Sequence, residues 1–296
     1  MQIEVFKIFR DLADSGSFSL AAESNGISQS AVSQKIRALE ERYSVILIER
    51  SRRAFALTAE GEAFLGASRE IADLYEHLDD RLKSLSNVVE GQLTIGVIYS
   101  IGLHELPPYI KAFRTAHPAV EVGVEYRRSW KLYTAVMEGE VDLGLVCYPA
   151  KKKGLQILPF LNDRLVLICH PDHPLARRAS VRLADMEAER FISFEPDQPT
   201  RKVIDKAMRD QGVQIHHAIE FDSVETVKRA VEIENGISIV PSRTVQQEVT
   251  NGALTAVEIV SPPLWRPLGI LLKRDRARSP ALREFLALLQ KPMDDV

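Results

Sequence analysis

The sequence predicts an α/β protein that begins with a winged helix-turn-helix and continues through a long helix into a region of alternating strands and helices. Three observations carry this prediction: a short polar turn between two helical segments near residue 25, a helical pattern without proline over 58–87, and strand–helix alternation from residue 90 onward. A chain of 296 residues has room for two or three domains.

The first 58 residues carry the helix-turn-helix pattern. A helical segment over 19–24 is followed by the turn Asn25–Gly26, and a second helix opens at Ser28. The second helix of this motif lies in the DNA major groove, where short polar side chains reach base edges and glutamine pairs with adenine. The predicted DNA contacts on this helix are Ser28, Gln29, Ser30, Ser33, Gln34, Lys35 and Arg37.

A basic segment follows the second helix. Apolar stretches at 46–48 and 54–57 flank Arg50, Arg52 and Arg53, which predicts a two-stranded wing with a basic tip that reaches the DNA backbone or minor groove. Residues 28–53 hold six Lys/Arg and three Asp/Glu, whereas the whole chain has a net charge of −3. Phosphate contacts should therefore come from this patch, and binding should weaken with salt.

A further set of residues keeps a fixed order and spacing across the first 61 positions: Phe9, Ser17–Phe18, Ala21–Ala22, Ser28–Gln29, Ala31–Val32–Ser33, Leu39–Glu40, Leu47, Arg50, Leu57–Thr58 and Gly61. With these residues the stretch resembles the N-terminal domain of LysR-type transcriptional regulators, with Ser30 where the family usually has proline and Ile48 where an aromatic is common. The resemblance implies a regulator of transcription that works with RNA polymerase, and not an enzyme.

The segment 59–89 is predicted to be a linker helix. Ile71, Leu74, Leu78, Leu82 and Leu85 recur at spacings of three and four and form an apolar stripe on one helical face. The resemblance implies that this helix pairs antiparallel with its copy, so that the protein is a homodimer or a homotetramer. Two-fold symmetry in the protein predicts an inverted-repeat site in the double-stranded DNA operator.

From residue 90 the pattern alternates between strands and helices, which indicates a parallel sheet covered by helices. The order resembles the two-lobed, periplasmic-binding-protein-like effector domain of the LysR family, with lobe I at about 90–161 and 267–296 and lobe II at about 162–266. The predicted strands are 92–98, 120–126, 141–147, 155–160, 164–170, 191–194, 217–221, 237–240 and 268–273, and the predicted helices are 106–117, 131–138, 181–186, 200–211, 223–232 and 280–290.

Ligands of open α/β sheets bind beyond the carboxyl ends of the strands. Hydroxyls and arginines at the helix starts there favour a small anion, since free N–H groups and the helix dipole point at the ligand. The same serines and threonines could be plain N-caps, and Arg127–Arg128 could mark an unusual effector or an interdomain contact. The predicted effector-binding residues are Ser100, Ile101, Arg127, Ser129, Cys147, Tyr148, Thr200, Arg201 and Ser223.

Other functions have weaker support in the sequence. His170, His173 and the pair His216–His217 lack the spacing of a zinc site, so we expect neither metal nor cofactor. Cys147 and Cys169 could form a redox switch, but each ends an apolar strand. An enzyme and a transport-type solute-binding protein remain as alternatives. Without a signal-peptide pattern or a long apolar run, we expect a cytoplasmic protein that contacts no membrane.

Overall fold

The computed structural model describes residues 3–49, 55–83, 89–233, 236–274 and 276–291. The chain divides into two units, residues 1–89 with 276–283 and residues 90–275 with 284–296. Each unit has buried apolar clusters of its own. No helix of the described part is both long enough and apolar enough to cross a membrane.

The first unit contains the predicted helix-turn-helix. Ser17 and Ser28 act as N-caps, and their side chains accept the N–H groups of Leu20 and Ala31. Gly26 takes a left-handed conformation (φ +61°) in the turn between the helices, which glycine adopts without steric cost. The helices of this unit are α1 Glu4–Ser15, α2 Phe18–Ser24, α3 Gln29–Tyr43 and α4 Ala59–Lys83.

The apolar face of α3 holds this unit together. Val32, Ile36 and Leu39 are at most 3% exposed and pack with residues of α1 and α2. Because apolar positions recur every three or four residues, the opposite face of α3 is left to polar side chains. After α3, an antiparallel bridge joins Ile48 to Leu57, and this bridge is the base of the predicted wing. Arg50, Arg52 and Arg53 lie outside the described residues.

Helix α4 changes character along its length. Leu65 near its start and Ala72 near its middle are buried, whereas Leu74 and Leu78 are 72% and 52% exposed. The predicted apolar stripe therefore begins at the edge of the unit's core and continues onto an exposed surface. Leu82 and Leu85, the last two positions of the stripe, lie outside the described side chains.

Lobe I of the second unit is built on parallel strands. Strand β1 (Gly91–Val97) pairs in parallel with β2 (Val120–Tyr126) and β3 (Leu143–Cys147), and β10 (Trp265–Lys273) joins β3 antiparallel. Tyr109, Phe113 and Phe285 are buried in this lobe, and the rings of Phe113 and Phe285 lie 5.1 Å apart. Its helices are α5 Tyr99–His104, α6 Pro107–Ala116, α7 Ser129–Glu138 and, from residue 284 onward, α11 Pro280–Leu289.

Two long strands cross between the lobes. Strand β4 (Leu155–Cys169) pairs with β10 through its first half and with β8 (Ser238–Pro241) and β9 (Thr255–Ser261) through its second half. The sequence predicted two strands where β4 is one. The remaining elements of lobe II are β5 Ser180–Arg182, β6 Arg190–Phe194, α8 Pro199–Asp210, β7 His216–Phe221, α9 Val224–Glu232 and α10 Gln246–Thr250.

The predicted helix over 181–186 was wrong in its first half. Val181 belongs to β5 and pairs with Ile259 of β9, and only Leu183–Met186 form a short 3-10 turn. Val181, Leu183 and Met186 are all buried, and their spacing by itself suggests a helix. The pairing of Val181 with β9, which the spacing does not reveal, makes the first part a strand instead. Elements α5, α10 and β9 were not predicted from the sequence.

Candidate nucleic-acid interface and ligand cleft

The first turn of α3 presents polar groups to the outside of the first unit. Gln29, Ser30 and Gln34 are exposed, and Ser33 is half-buried. Ser28 has two roles, because its hydroxyl caps α3 and lies 2.9 Å from the Ser30 hydroxyl. Lys35 is half-buried and Arg37 is exposed on the same helix. This face offers amides that pair with base edges and cations that pair with phosphates.

A buried carboxylate ties α3 to the base of the wing. Glu40 is 8% exposed, and its Oε1 accepts the N–H groups of Leu47 at 3.0 Å and Ile48 at 3.4 Å. On the other strand, the Thr58 hydroxyl donates to Ile46 O at 2.6 Å. The orientation of the wing base therefore depends on the end of the helix that would read DNA.

A cavity of about 480 Å³ opens between the two lobes of the second unit. It lies beyond the carboxyl ends of β1 and β3 and at the start of α7 and α8, as expected for an open α/β sheet. Its lining residues are Ile98, Tyr99, Ser100, Arg127, Arg128, Ser129, Trp130, Tyr133, Cys147, Tyr148, Ala150, Lys152, Phe194, Asp197, Gln198, Pro199, Thr200, Lys202, Asp222, Val224, Pro241 and Arg266.

Six of the nine predicted effector-binding residues line this cavity, namely Ser100, Arg127, Ser129, Cys147, Tyr148 and Thr200. Ile101, Arg201 and Ser223 are not among the lining residues. Ile101 is fully buried in lobe I. The Ser223 hydroxyl caps α9 by accepting the N–H of Glu225 at 3.2 Å.

Arg201 is occupied within lobe II. Its Nε donates to both carboxylate oxygens of Asp205 at 2.8 Å. Its Nη1 donates to Phe194 O at 2.6 Å and to Glu220 Oε1 at 2.8 Å. The side chain is 7% exposed, so it is a buried cation, paired with two carboxylates, that links α8 to β6 and β7. These partners could not be predicted from the position of Arg201 at the start of α8.

Arg127 and Arg128 differ in what they contact. The Arg127 guanidinium pairs with Glu125 at 2.6 Å and with Glu140, all within lobe I. The hydrogen bond that Arg127 donates to Glu140 raises the pKa of the guanidinium above its ordinary value. The charge of Arg127 is therefore already matched by carboxylates of its own lobe.

Arg128 reaches across the cleft. Its guanidinium lies 3.4 Å from Asp197, 3.5 Å from Glu195 and 3.7 Å from Asp222, all in lobe II. The side chain is 53% exposed, so each pair contributes little to stability by itself. Of the two arginines, Arg128 therefore makes a contact between the lobes, as the interdomain alternative for Arg127–Arg128 expected. Arg128, Asp197 and Asp222 all line the cavity, so this lobe-to-lobe contact lies at the cleft.

The floor of the cleft includes a buried arginine that the sequence analysis did not select. Arg266, at the start of β10, is 2% exposed, and its Nη2 donates to the Ser100 hydroxyl at 2.5 Å. The nearby Glu105 is fully buried, with Oε1 3.6 Å from Arg266 Nη1. Burial, reinforced by the charge of Asp163, raises the pKa of Glu105 to about 7, although Arg266 and Arg243 oppose the shift.

Tyr148 and Cys147 line the cleft, whereas Cys169 lies in the apolar core of lobe II. Tyr148 has a φ of +47°, and its hydroxyl donates to Trp265 O at 3.2 Å. Such backbone conformations in non-glycine residues concentrate at functional sites. Both cysteines are buried, and burial raises the pKa of Cys169 to about 11. A high pKa disfavours the thiolate that redox chemistry needs, which weakens the redox alternative.

The histidines singled out in the sequence have partners of other kinds. His173 Nε2 lies 3.3 Å from Glu189, and His217 Nδ1 lies 2.6 Å from the Ser193 hydroxyl. Among the described residues, no group of three or more His, Cys, Asp or Glu side chains is placed to hold a metal ion.

A helix-turn-helix unit and a two-lobed domain with a cleft, on one chain, define a transcription regulator with an effector-binding domain. Residues 3–62 match the family model for the bacterial regulatory helix-turn-helix protein, lysR family. Residues 86–294 match the model for the LysR substrate binding domain. The chain therefore belongs to the LysR family of transcriptional regulators, whose members are DNA-binding proteins and not enzymes.

Relatives and solved structures agree with this assignment. The HTH-type transcriptional regulator CbbR of Sinorhizobium medicae is 30% identical over 271 residues, which cover 91% of this chain and 86% of the relative. The RuBisCO operon transcriptional regulator of Allochromatium vinosum is 28% identical over 289 residues, which cover 97% of this chain and 95% of the relative.

The fold is shared with full-length regulators of known structure. A variant of full-length OxyR from Pseudomonas aeruginosa superposes with a TM-score of 0.81 at 22% identity, covering 98% of this chain and 93% of the other. CbnR in complex with its target DNA gives a TM-score of 0.63 at 21% identity, with 98% and 99% coverage. The predicted fold class is confirmed.

Proposed function

We propose that this regulator binds an inverted-repeat operator as a dimer or tetramer and responds to a small anionic metabolite held between its two lobes. The observation that carries the proposal is the cleft, where the start of helix α8 and several basic side chains face one cavity. The protein would act in the cytoplasm, and its bound arrangement would determine how RNA polymerase is recruited.

The proposed DNA contacts come from α3 and the wing. Gln29 and Gln34 are exposed and can each form two hydrogen bonds with an adenine. Ser30 and Ser33 flank them, and Lys35 and Arg37 add positive charge along the same helix. Arg50, Arg52 and Arg53 are proposed to contact the backbone from the wing. The side-chain types on α3 therefore support base reading combined with phosphate contacts.

The proposed dimer is built on α4. Leu74 and Leu78, with Tyr75 beside them, expose large apolar side chains along the outer half of this helix. Neighbouring apolar groups at helical spacing are typical of a helix-pairing surface. A second copy that packs antiparallel on this stripe would place two α3 helices on one DNA, related by a two-fold axis. That symmetry is the reason to expect an inverted repeat.

The proposed effector is an anion because of what lines the cleft. Thr200 stands in the first turn of α8, and the N-cap residue Gln198 makes no side-chain cap. The N–H groups of such a helix start are available to an anion and carry the positive end of the helix dipole. Lys152 and Lys202 also line the cavity. By contrast, the start of α9 is already capped by Ser223.

The coupling to DNA would work through lobe closure. A ligand shifts an equilibrium only by binding one arrangement more tightly than another. Here the cavity is lined from both lobes, and Arg128 reaches from lobe I to three carboxylates of lobe II. An anion near Arg128 would compete with these carboxylates, so that occupancy and lobe arrangement are linked.

The proposal is tested by a ligand screen joined to a DNA-binding assay. Small carboxylates, sulfate, phosphate and sugar phosphates are screened by thermal unfolding of wild type, Thr200→Ala and Ser223→Ala. Both variants delete a hydroxyl at a helix start, but only Thr200 lines the cavity. A ligand at about 100 times its Kd should stabilise wild type by roughly 2.7 kcal/mol.

We expect a compound that stabilises wild type and Ser223→Ala but not Thr200→Ala, and that changes operator affinity or DNA bending. A screen without any stabilising anion would contradict the proposed effector class. A stabilising compound that leaves DNA binding unchanged would contradict its role as an effector.

A further inference from the structure

Arg266 differs from the other arginines that border the cleft. Arg127 is paired within lobe I, and Arg128 lies against three carboxylates of lobe II. Arg266 lines the cavity although its side chain is only 2% exposed. A buried guanidinium normally has acceptors for its N–H groups, because leaving them without partners is costly.

The hydrogen bonds of Arg266 are incomplete. Nη2 donates to the Ser100 hydroxyl, but in the described part of the chain neither Nε nor Nη1 finds an acceptor. The guanidinium therefore has donors on two nitrogens that the protein does not satisfy. The Nε–H and Nη1 N–H groups point to different sides of the guanidinium, so each can donate a separate charge-assisted hydrogen bond to an oxygen of a carboxylate, sulfate or phosphate group.

The nearest carboxylate compensates Arg266 only in part. Glu105 Oε1 is 3.6 Å from Nη1, beyond hydrogen-bond distance, and both carboxylate oxygens of Glu105 are themselves without hydrogen bonds in the described part of the protein. Glu105 is fully buried. Its burial also favours the protonated form, which carries no counter-charge. The site therefore retains positive charge at the floor of the cavity.

We propose that Arg266 is the anchor for the oxyanion of the effector, a carboxylate, sulfate or phosphate group, with the Ser100 hydroxyl orienting the guanidinium. This inference rests on the proposed effector cleft and names the group that selects the ligand's charge. The cavity, at about 480 Å³, falls within the size range of small-molecule sites. Tyr99, Tyr133 and Tyr148 line its walls, so the oxyanion would belong to a small organic acid.

The anchor has a consequence for Glu105. At pH 8, above the pKa of about 7, Glu105 is mostly a carboxylate. If Arg266 binds the oxyanion, this negative charge repels the ligand, and Glu105→Gln should increase the affinity measured at pH 8. If Arg266 only serves as a partner of Glu105 inside the protein, the same substitution should leave anion binding unchanged. This difference separates a ligand-binding role from a structural role.

The test measures binding of three probes, namely acetate, sulfate and inorganic phosphate, against chloride at equal ionic strength. Wild type is compared with Arg266→Gln, Arg266→Lys and Glu105→Gln by calorimetry and thermal unfolding. The matched control is Arg164→Gln, since Arg164 lies next to this site on β4 but is 41% exposed, pairs with Glu258 and is not among the cavity-lining residues.

We expect wild type to prefer at least one of these oxyanions over chloride, and the preferred probe shows which oxyanion chemistry the site selects. Arg266→Gln should weaken that probe roughly tenfold or more, as for a lost charge-assisted hydrogen bond. Arg266→Lys should keep part of the affinity, Glu105→Gln should increase it, and Arg164→Gln should leave it unchanged. Far-UV circular dichroism checks the fold of each variant. If Arg266→Gln does not fold, Arg266→Lys, which keeps the positive charge, is the variant whose probe affinity is compared with wild type.

Equal affinity in wild type and folded Arg266 variants would overturn the anchor. If binding of the same probe were instead lost in Thr200→Ala, the proposal of an effector site in the cleft would be retained, and the oxyanion would bind at the start of α8 rather than at Arg266. Absence of any preference over chloride in wild type would overturn both the anchor and the anionic effector.

Discussion

His104 Nε2 in lobe I lies 2.8 Å from Glu225 Oε1 in lobe II. Glu225 also pairs with Lys228 at 2.9 Å, and the buried Lys228 continues to Glu248 at 2.9 Å and to Thr244 O at 2.7 Å. A chain of polar contacts therefore connects the end of α5 to the interior of lobe II. Together with Arg128, it gives the lobes two separate electrostatic contacts.

This contact should make stability depend on acid pH. Burial raises the pKa of Glu225, but hydrogen bonds from Lys228 and His104 outweigh burial, and the pKa lies below its usual 4.5. The unfolded chain then binds more protons, so the contribution is present above pH 4.5 and is lost as the pH falls through the folded pKa. We expect Glu225→Gln to be less stable than wild type at pH 7, and the difference to shrink below pH 4.5.

Urea unfolding at pH 7 and pH 4 measures this difference. Glu258→Gln removes the same charge from a carboxylate of similar exposure, 47% against 44%, outside the lobe contact. A difference between wild type and Glu225→Gln that stays constant with pH would contradict the assignment.

Glu105 should produce the opposite dependence nearer to neutral pH. Its folded pKa of about 7 lies above the usual 4.5, so the folded state binds the extra proton between these values. Stability is then highest below pH 4.5 and declines as the pH rises through 7, by about 1.4 kcal/mol for each pH unit between the unfolded and folded pKa values. Glu105→Gln should remove this decline and should be more stable than wild type at pH 8.

Urea unfolding between pH 5 and pH 8 is the measurement. Glu121→Gln, at an exposed position of β2, is the control for removal of one charge. Parallel stability curves for wild type and Glu105→Gln would show that burial does not hold the proton on Glu105.

Two glycines of α4 should respond in opposite directions to alanine. A Cβ at Gly61 would lie 2.1 Å from Leu47 O, a backbone atom that cannot move aside without displacing the base of the wing. A Cβ at Gly66 meets nothing within 4 Å. We expect Gly61→Ala to destabilise the first unit by about 1–3 kcal/mol, and Gly66→Ala to stabilise it by roughly 0.5–1 kcal/mol.

Thermal unfolding of the two variants tests this contrast, and operator binding should fall only for Gly61→Ala. Equal effects of the two substitutions would mean that α4 does not approach the wing as closely as the structure shows.

Glu40 should matter for DNA binding without touching DNA. Glu40→Ala removes the acceptor of two backbone N–H groups at the wing base and should cost about 1–3 kcal/mol. Its neighbour Glu41 is exposed, and Glu41→Ala makes the same chemical change as a matched control. We expect lower stability and lower operator affinity for Glu40→Ala only. Wild-type operator affinity in a folded Glu40→Ala would contradict the proposed link between α3 and the wing.

The local parts of the fold could be predicted because the signals were local. Ser17, Gly26 and Ser28 set the helix-turn-helix through caps and one left-handed turn, all within twelve residues. The strand–helix alternation was equally visible. Strand β5 was missed because Val181 finds its partner, Ile259, far along the chain.

The candidate site was predicted less completely for the same reason. Arg201 stands at a helix start, but Asp205 and Glu220 determine where its side chain lies. Arg266 reaches the cleft because β10 pairs with β3, so that Leu268 lies opposite Cys147. Had the pairing of β10 with β3 been predicted from the sequence, Arg266 could have been included among the residues at the cleft.

The most direct test of the account is a selection of duplexes from a random DNA library by the full chain, followed by sequencing. Wild type should enrich an inverted repeat whose half-sites lie one or more helical turns apart. Gln34→Ala should lose base preference at matching positions in both half-sites, while Glu41→Ala should not. Enrichment of a single asymmetric site, or no enrichment at all, would contradict a two-fold symmetric regulator that reads DNA through α3.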